Sequence, residues 1–351
     1  MKSGMKIGLI ARADARGLGH ITREFFRHMK PAKTLVVKPV ASHHHQHDDW
    51  YPFDADHKVS KLDWKELFPE ENMLKWLDGL DVVYSAETFY DERVPEWARS
   101  VGCASVLHTN PEFYRADVIA HMNPTAIWNQ SPWRHHTLRD NAIVVPTPVA
   151  TDRFQPVHRG PGPLKVLHVV GGNASEDRNG TLALLRSLSH VREPVDVTLV
   201  SQTRLRMAIP RLSSNVTVRT VEFPGDYWNI YNGYDVLVMP RRYAGNSLPV
   251  QEAMAAGLAV VMTDCSPNEW WEPVIRVPAG KVGSHRTPCG LVDLYDVCPW
   301  SLAETIDRLA VESPELAERK RAGVRFVAEH LSWDVMKPKY QALLADAANR
   351  A

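Results

Sequence analysis

The chain is predicted to be an α/β protein built from parallel sheets in two domains, on three observations. Short apolar runs alternate with helix-period segments along nearly its whole length, as βαβ units do. Its 351 residues exceed the ~100–200 of an ordinary single domain, so two are expected. The segment Asp235–Asp264 shows one unit complete: apolar runs at Asp235–Met239 and Leu258–Met262 suit buried parallel strands. Between them come the small residues Gly245, Asn246 and Ser247, then Leu248–Ala256, with Pro249 in its first turn and Gly257 just past its end. Those are helix start and stop signals. A loop opening such a helix offers backbone N–H groups and a dipole to an anion. Glu252, about one turn inside, suits the hydroxyls of a ribose and would repel phosphates.

In order, Lys6–Ile10 reads as the first strand, followed by a loop carrying Arg12, Arg16, Gly17 and Gly19 and a helix over Ile21–Met29. Such a turn is common to nucleotide-type α/β domains. Thr34–Lys38 is a second strand. Residues 42–57 hold His43, His44, His45, His47, Asp48 and Asp49, which are metal-ligand types. The segment is interrupted by Pro52, so a solvated loop is expected and no metal site. Leu67–Leu77 is a helix, Asp81–Ser85 a strand and Val94–Val101 a helix stopped by Gly102. Cys103–Leu107 is a buried strand that delivers His108 to the sheet edge where ligands bind, with Glu112 four residues on.

Pro146, Pro148 and the Pro/Gly-rich 157–163 mark a linker, placing the domain junction near residue 150. Beyond it, Lys165–Val170 is a strand leading into Gly171, Gly172 and Asn173, then Arg178-Asn179-Gly180 and a helix. Val195–Val200 and Val216–Val221 are strands, and Tyr227–Tyr234 is a short aromatic helix. Ser301–Leu309 and Pro314–His330 are helices, with a last one after Leu331.

Lys plus Arg and Asp plus Glu are both 41, a net charge of zero, so no global field points to a polyanionic partner. The four cysteines have no CxxC spacing, and a reducing cytoplasm is the expected setting. The N-terminus has too short an apolar core for a signal peptide, and no run reaches membrane-spanning length.

The Asp235–Asp264 segment resembles the donor-binding motif of the retaining nucleotide-sugar glycosyltransferases of the GT-B fold, family-4 type. Their pattern is Pro-Ser-x-x-Glu-Gly-x-Gly-x-Pro-x-x-Glu-Ala-Met-Ala-x-Gly. Gly245, Pro249, Glu252, Ala253, Met254, Ala255 and Gly257 match, and Ala244 stands where the first glutamate, which holds donor-sugar hydroxyls, is usual. The hinge phrase around Pro148–Phe154 and a closing Ser332-Trp333-Asp334 helix are also similar to the family.

The resemblance implies two Rossmann-like domains facing a central cleft: 1–150 on the acceptor side, 151–331 on the donor side, and 332–351 as a helix crossing back. It implies sugar transfer from a nucleoside diphosphate sugar to an acceptor hydroxyl with retention, without metal or cofactor. The donor site would hold Gly172, Asn173, Arg178, Asn179, Gly245, Asn246, Ser247, Leu248 and Glu252. Arg178, His108 and Glu252 would serve the reaction, with Arg16, Gly17, Gly19 and Glu112 on the acceptor side. Two further readings stand beside it: the same chemistry on hydroxymethylated DNA, served by a basic track of Arg12, Arg16, Arg23, Arg27, Arg134 and Arg139, and a non-catalytic sugar-nucleotide binding protein.

Overall fold

A computed structural model describes residues 4–38, 47–51, 58–63, 68–110, 115–156, 162–171, 177–202, 207–223, 227–243, 245–287, 289–311 and 314–351. The chain divides into two compact units. The first comprises Met1–Pro148, Thr287–Gly290 and Trp333–Ala351, and the second Val149–Arg286 and Leu291–Ser332.

In the first unit the elements run β1 (Ile7–Ala11), α1 (Gly17–Met29), β2 (Lys33–Lys38), β3 (Lys58–Asp63), α2 (Glu70–Leu77), β4 (Val82–Ala86), α3 (Val94–Ser100), β5 (Ala104–Thr109), α4 (Ala116–Met122), β6 (Ala126–Asn129) and β7 (Ile143–Val144). They form a seven-stranded sheet in the order β3-β2-β1-β4-β5-β6-β7, parallel throughout. Strands β1, β4 and β5 are buried at every residue, as sheets covered on both faces require. The polar edge strand β3 and the short α4 lack a clear hydrophobic period, and the sequence reading passed over both. Strand β3 is held by its ladder to β2, from Lys33 opposite Lys58 to Lys38 opposite Asp63.

In the second unit the elements are β8 (Leu164–Gly171), α5 (Thr181–Ser187), β9 (Val195–Ser201), β10 (Val216–Glu222), β11 (Val236–Met239), α6 (Leu248–Ala255), β12 (Ala259–Thr263), β13 (Ile275–Val277), β14 (Ala279–Thr287), β15 (Gly290–Val297), α7 (Pro299–Ala310) and α8 (Pro314–His330). Its six-stranded sheet has the order β10-β9-β8-β11-β12-β13 and is parallel. Two apolar clusters sandwich it, one around Leu237, Val250, Met254 and Trp271, the other around Val166, Leu184, Val238 and Ile306. The β14–β15 pair is a separate two-stranded sheet absent from the sequence reading, because its polar, exposed residues carry no apolar alternation. The last helix, α9 (Trp333–Ala348), groups with the first unit, where it packs on β4, β5 and α1.

Tyr340 of α9 closes a cage around His108. The histidine is fully buried, with Tyr84, Trp128 and Tyr340 ring centroids 5.8 to 6.0 Å away. Its Nε2 donates to the Val145 carbonyl at 2.8 Å, and its Nδ1 accepts from the Tyr84 hydroxyl at 2.7 Å. Both ring nitrogens are thus used inside the core. There the ring ties β5 to β4 and to the strand-end backbone at Val145. Gly19 also has a packing reason. A Cβ there would lie 1.9 Å from the Asp14 carbonyl oxygen, so only glycine lets α1 start so close to the β1 loop.

Burial lowers the pKa of His108 to about 4 and that of His20 to about 3, against ~6.5 in an unfolded chain. Between those values the unfolded state binds more protons, so stability is full above pH 6.5 and falls as pH drops toward 4. Each ring contributes about 1.4 kcal/mol per pH unit in that window. Urea unfolding at pH 7, 6 and 5 should show this loss, and His108→Gln should flatten it by about one proton.

Candidate functional site

The strand order of the second unit's sheet reverses between β8 and β11, with β9 and β10 on one side and β12 and β13 on the other. Open parallel sheets bind ligands in the crevice outside the strand carboxyl ends at such a point. Two loops leave those ends: the β8–α5 turn and the β11–α6 loop. Gly172, Asn173 and Ala244 lie outside the described residues.

The β8–α5 turn is locked by its own polar groups. Asp177, at φ 47°, accepts from the backbone N–H of Thr181 at 2.8 Å and of Leu182 at 2.7 Å, satisfying donors that the first turn of α5 leaves open. Asn179 Nδ2 donates to the carbonyls of Val169 and Val170 at 2.9 and 3.1 Å, so its amide braces the end of β8. Beneath the turn, buried His168 donates from Nδ1 to the Val238 carbonyl at 2.7 Å and accepts at Nε2 from the Thr181 hydroxyl at 2.9 Å. That histidine joins β8, β11 and α5.

The two loops meet backbone to backbone. The Arg242 N–H donates to the Arg178 carbonyl at 2.9 Å. Gly180 has φ 74°, and a Cβ on it would stand 2.0 Å from the Pro240 carbonyl oxygen. On its other side Arg242 accepts at its carbonyl from Tyr295 N–H at 2.9 Å, and its guanidinium pairs with Asp296 at 2.7 Å. The β14–β15 hairpin therefore helps to hold the β11–α6 loop, a role with no signal in the sequence.

Within that loop Gly245, Asn246 and Ser247 are buried and Leu248 is half-buried at the start of α6. Arg241, a fully buried cation that the sequence reading passed over, donates to the Asn246 carbonyl at 3.3 Å. Gln251 Nε2 donates to Asn246 Oδ1 at 2.9 Å. Four buried oxygens here have no hydrogen-bond partner among the described residues: Ser247 Oγ, Gln251 Oε1, Thr263 Oγ1 and Asn268 Oδ1. Each such group costs about 1–3 kcal/mol when left unsatisfied. Their concentration at one sheet edge marks a place for polar ligand atoms or ordered water.

One turn into α6, Glu252 is 3% exposed. Its Oε2 accepts from the Tyr227 hydroxyl at 2.5 Å and the Tyr231 hydroxyl at 2.6 Å. Burial, and then the charge of Glu252, raise both tyrosine pKa values well above the usual 10. The structure thus brings Arg178, Asn179, Gly245, Asn246, Ser247, Leu248 and Glu252 to one edge of one sheet.

Residues 165–283 match the family model described as Glycosyl transferases group 1. The second unit carries a group 1 glycosyltransferase domain. That domain spans β8 to the first part of β14 and includes both loops of the site. Over the whole chain the fold is that of GT-B glycosyltransferases. The structure of Anabaena HepE in complex with UDP and glucose is similar at a TM-score of 0.67 and 11% identity, covering 98% of this chain and 100% of that one. Sucrose-phosphate synthase from Thermosynechococcus elongatus is similar at 0.69 and 15%, covering 99% and 100%. An α,α-trehalose-phosphate synthase (UDP-forming) from Burkholderia vietnamiensis is similar at 0.64 and 11%, covering 99% of each. Comparison with curated protein sequences gives no match.

Of the residues expected on the acceptor side, Gly17 opens α1 and Arg16 donates its backbone N–H to Asp14 Oδ1 at 3.2 Å. Glu112 lies outside the described residues, as does most of the histidine-rich 42–57; His47 stacks on Trp50. Among the described residues no group of three or more His, Cys, Asp or Glu is placed to hold a metal ion. Several arginines of the expected basic track are engaged inside the first unit. Arg12 pairs with Asp14, Arg27 with Glu24, Arg139 donates to the Pro124 carbonyl, and Arg23 lies over the Trp50 ring.

The contact at Gly180 yields a direct test. Gly180→Ala should lower the unfolding free energy by about 2 kcal/mol or more, since it combines a disfavoured φ with a backbone clash. Gly280→Ala, on a hairpin position with nothing within 4 Å, should change it by less than about 1 kcal/mol.

Proposed function

We propose that this protein transfers a hexose, or a closely related sugar, from a nucleoside diphosphate to an acceptor hydroxyl with retention at the anomeric carbon. The observation that carries the reading is the start of α6. The helix N-terminus holds the buried Ser247 hydroxyl, which has no partner among the described residues, and a carboxylate follows one turn later at Glu252. That suits a diphosphate beside a ribose. The group 1 domain supports the assignment, as does the fold shared with a HepE structure that contains UDP and glucose.

In this reading the bond between the anomeric carbon and the diphosphate oxygen breaks, and the diphosphate takes the electron pair. The acceptor oxygen attacks the same face, and its proton passes to the departing phosphate oxygen. The backbone N–H groups of 245–247 and the Arg178 guanidinium stabilise the growing negative charge. As the family resemblance implies, these groups do this rather than a metal, and the nucleotide sugar is a co-substrate. Arg16, Gly17 and Gly19, on the β1–α1 loop, are assigned to the acceptor side. The four free cysteines, Cys298 among them exposed, support a reducing cytoplasmic setting. No helix among the described residues is long and apolar enough to cross a membrane.

A thermal-shift screen against UDP, GDP, ADP and CDP and their sugar conjugates tests the donor assignment. A ligand at a hundred times its Kd adds about 2.7 kcal/mol of stability, so one nucleotide should raise the Tm selectively. Glu252→Gln should weaken that ligand about tenfold or more. Arg178→Ala should lower kcat by about a hundredfold while changing Kd much less. Both variants behaving as wild type would contradict the assignment.

A further inference from the structure

Bridges reach Arg242, in the β11–α6 loop, from two sides. Its backbone N–H donates to the Arg178 carbonyl of the β8–α5 turn at 2.9 Å, and its own carbonyl accepts from the Tyr295 N–H of β15 at 2.9 Å. Its guanidinium Nε donates to Asp296 Oδ1 at 2.7 Å, so β15 holds Arg242 by backbone and side chain together. One residue on, the ring of buried Tyr243 lies 5.9 Å from that of His285 on β14, which adds the second strand of the hairpin to the brace. The β15 end of this brace is firm. Val297, next to Asp296, is buried in the same apolar cluster as Val166, Val238 and Leu302. A line of direct contacts therefore runs from that core through Asp296 and Arg242 to Arg178. Arg241, the residue before, donates to the Asn246 carbonyl at 3.3 Å and so carries the position of Arg242 on to the start of α6.

We propose that Asp296 and Arg242 are positioning residues for the diphosphate: by fixing residue 242 they set the spacing between Arg178 and the 245–247 amides, and through that spacing the site prefers a diphosphate to a monophosphate. This rests on the donor assignment above and deepens it. A diphosphate that touches both loops gains from both only while their separation matches it. A nucleoside monophosphate, one phosphate shorter, depends on that separation less. The charge of Arg242 is matched by Asp296, so its guanidinium acts as a strut rather than as a phosphate ligand. The pair is partly exposed, and breaking such a pair costs little stability. Its effect is therefore read in selectivity rather than in folding.

The test measures Kd for UDP, GDP, ADP and CDP and for the matching monophosphates, using the full chain as wild type, Asp296→Asn, Arg242→Gln and the double variant. Asp293→Asn, which breaks the Lys281–Asp293 ion pair elsewhere on the hairpin, is the control. For the base that binds, wild type should prefer the diphosphate by about tenfold or more, and the control should keep that ratio within about twofold. Asp296→Asn and Arg242→Gln should each keep a cooperative melt and bring the ratio to about threefold or less. The double variant should lose no more than either single one, as two halves of one contact do. If Asp296→Asn does not fold, Arg242→Lys, which keeps the charge but not the Nε contact, decides by the same ratio. An unchanged or increased ratio in folded variants overturns the inference and leaves the pair a surface brace. Wild-type binding without diphosphate preference overturns it while leaving the donor assignment intact. Binding of no nucleotide at all overturns both.

Discussion

The second unit depends on one close approach, that of the Gly180 backbone to the carbonyl of Pro240. No side chain fits between them, and the adjacent Arg242 N–H to Arg178 carbonyl bond fixes the spacing. Strands β8 and β11 are neighbours in the sheet, so the loops that leave them compete for the same space. Glycine at a positive φ resolves the competition. Once it is resolved, α5 and α6 start from the same sheet edge; Asp177 takes the first N–H groups of α5, and the start of α6 lies where a ligand at the switch point would meet it. Asp177, Asn179 and His168 spend their side-chain polar atoms on holding this junction, while the Ser247 hydroxyl has no partner among the described residues.

The first unit solves the same steric problem at Gly19 and Asp14 and reaches a different chemical result. Its β1–α1 loop carries the Arg12–Asp14 pair, which is almost wholly shielded from solvent, and the Asp14 carboxylate also accepts the Arg16 backbone N–H. A buried ion pair of this kind fixes a loop conformation more than it adds stability. Of the arginines that suggested a nucleic-acid track, Arg12, Arg23, Arg27 and Arg139 are held to neighbours, and a track of such groups offers a phosphate backbone less than their number in the sequence implies.

The elements that the sequence showed plainly were those whose burial is one-dimensional. Strands β8, β11 and β12 are apolar runs, and α6 carries Pro249 and Gly257 at its ends, so both period and punctuation marked them. Strand β3 and the β14–β15 hairpin were not legible, because they are fixed by ladder partners distant in sequence rather than by their own pattern. The same distinction runs through the site. Glu252 was legible because the run from Gly245 to Gly257 around it resembles the family's donor motif. Tyr227 and Tyr231 read as part of a short aromatic helix, and only the fold brings them onto that carboxylate. Arg241 sits in an apolar context that hides a buried cation. The surroundings of His108 were hidden for a like reason: α9, more than two hundred residues later in the chain, supplies the Tyr340 that closes the cage around it.

The central claim is that the edge formed by the β8–α5 turn and the start of α6 receives a nucleoside diphosphate sugar. Hydrogen exchange of the full chain, with and without saturating nucleoside diphosphate hexoses, tests it most directly, because the claim names backbone amides. With the cognate donor, exchange should slow at 178–181 and 245–252 and stay unchanged around His108. Protection confined to other elements, or none with any donor, would contradict the account.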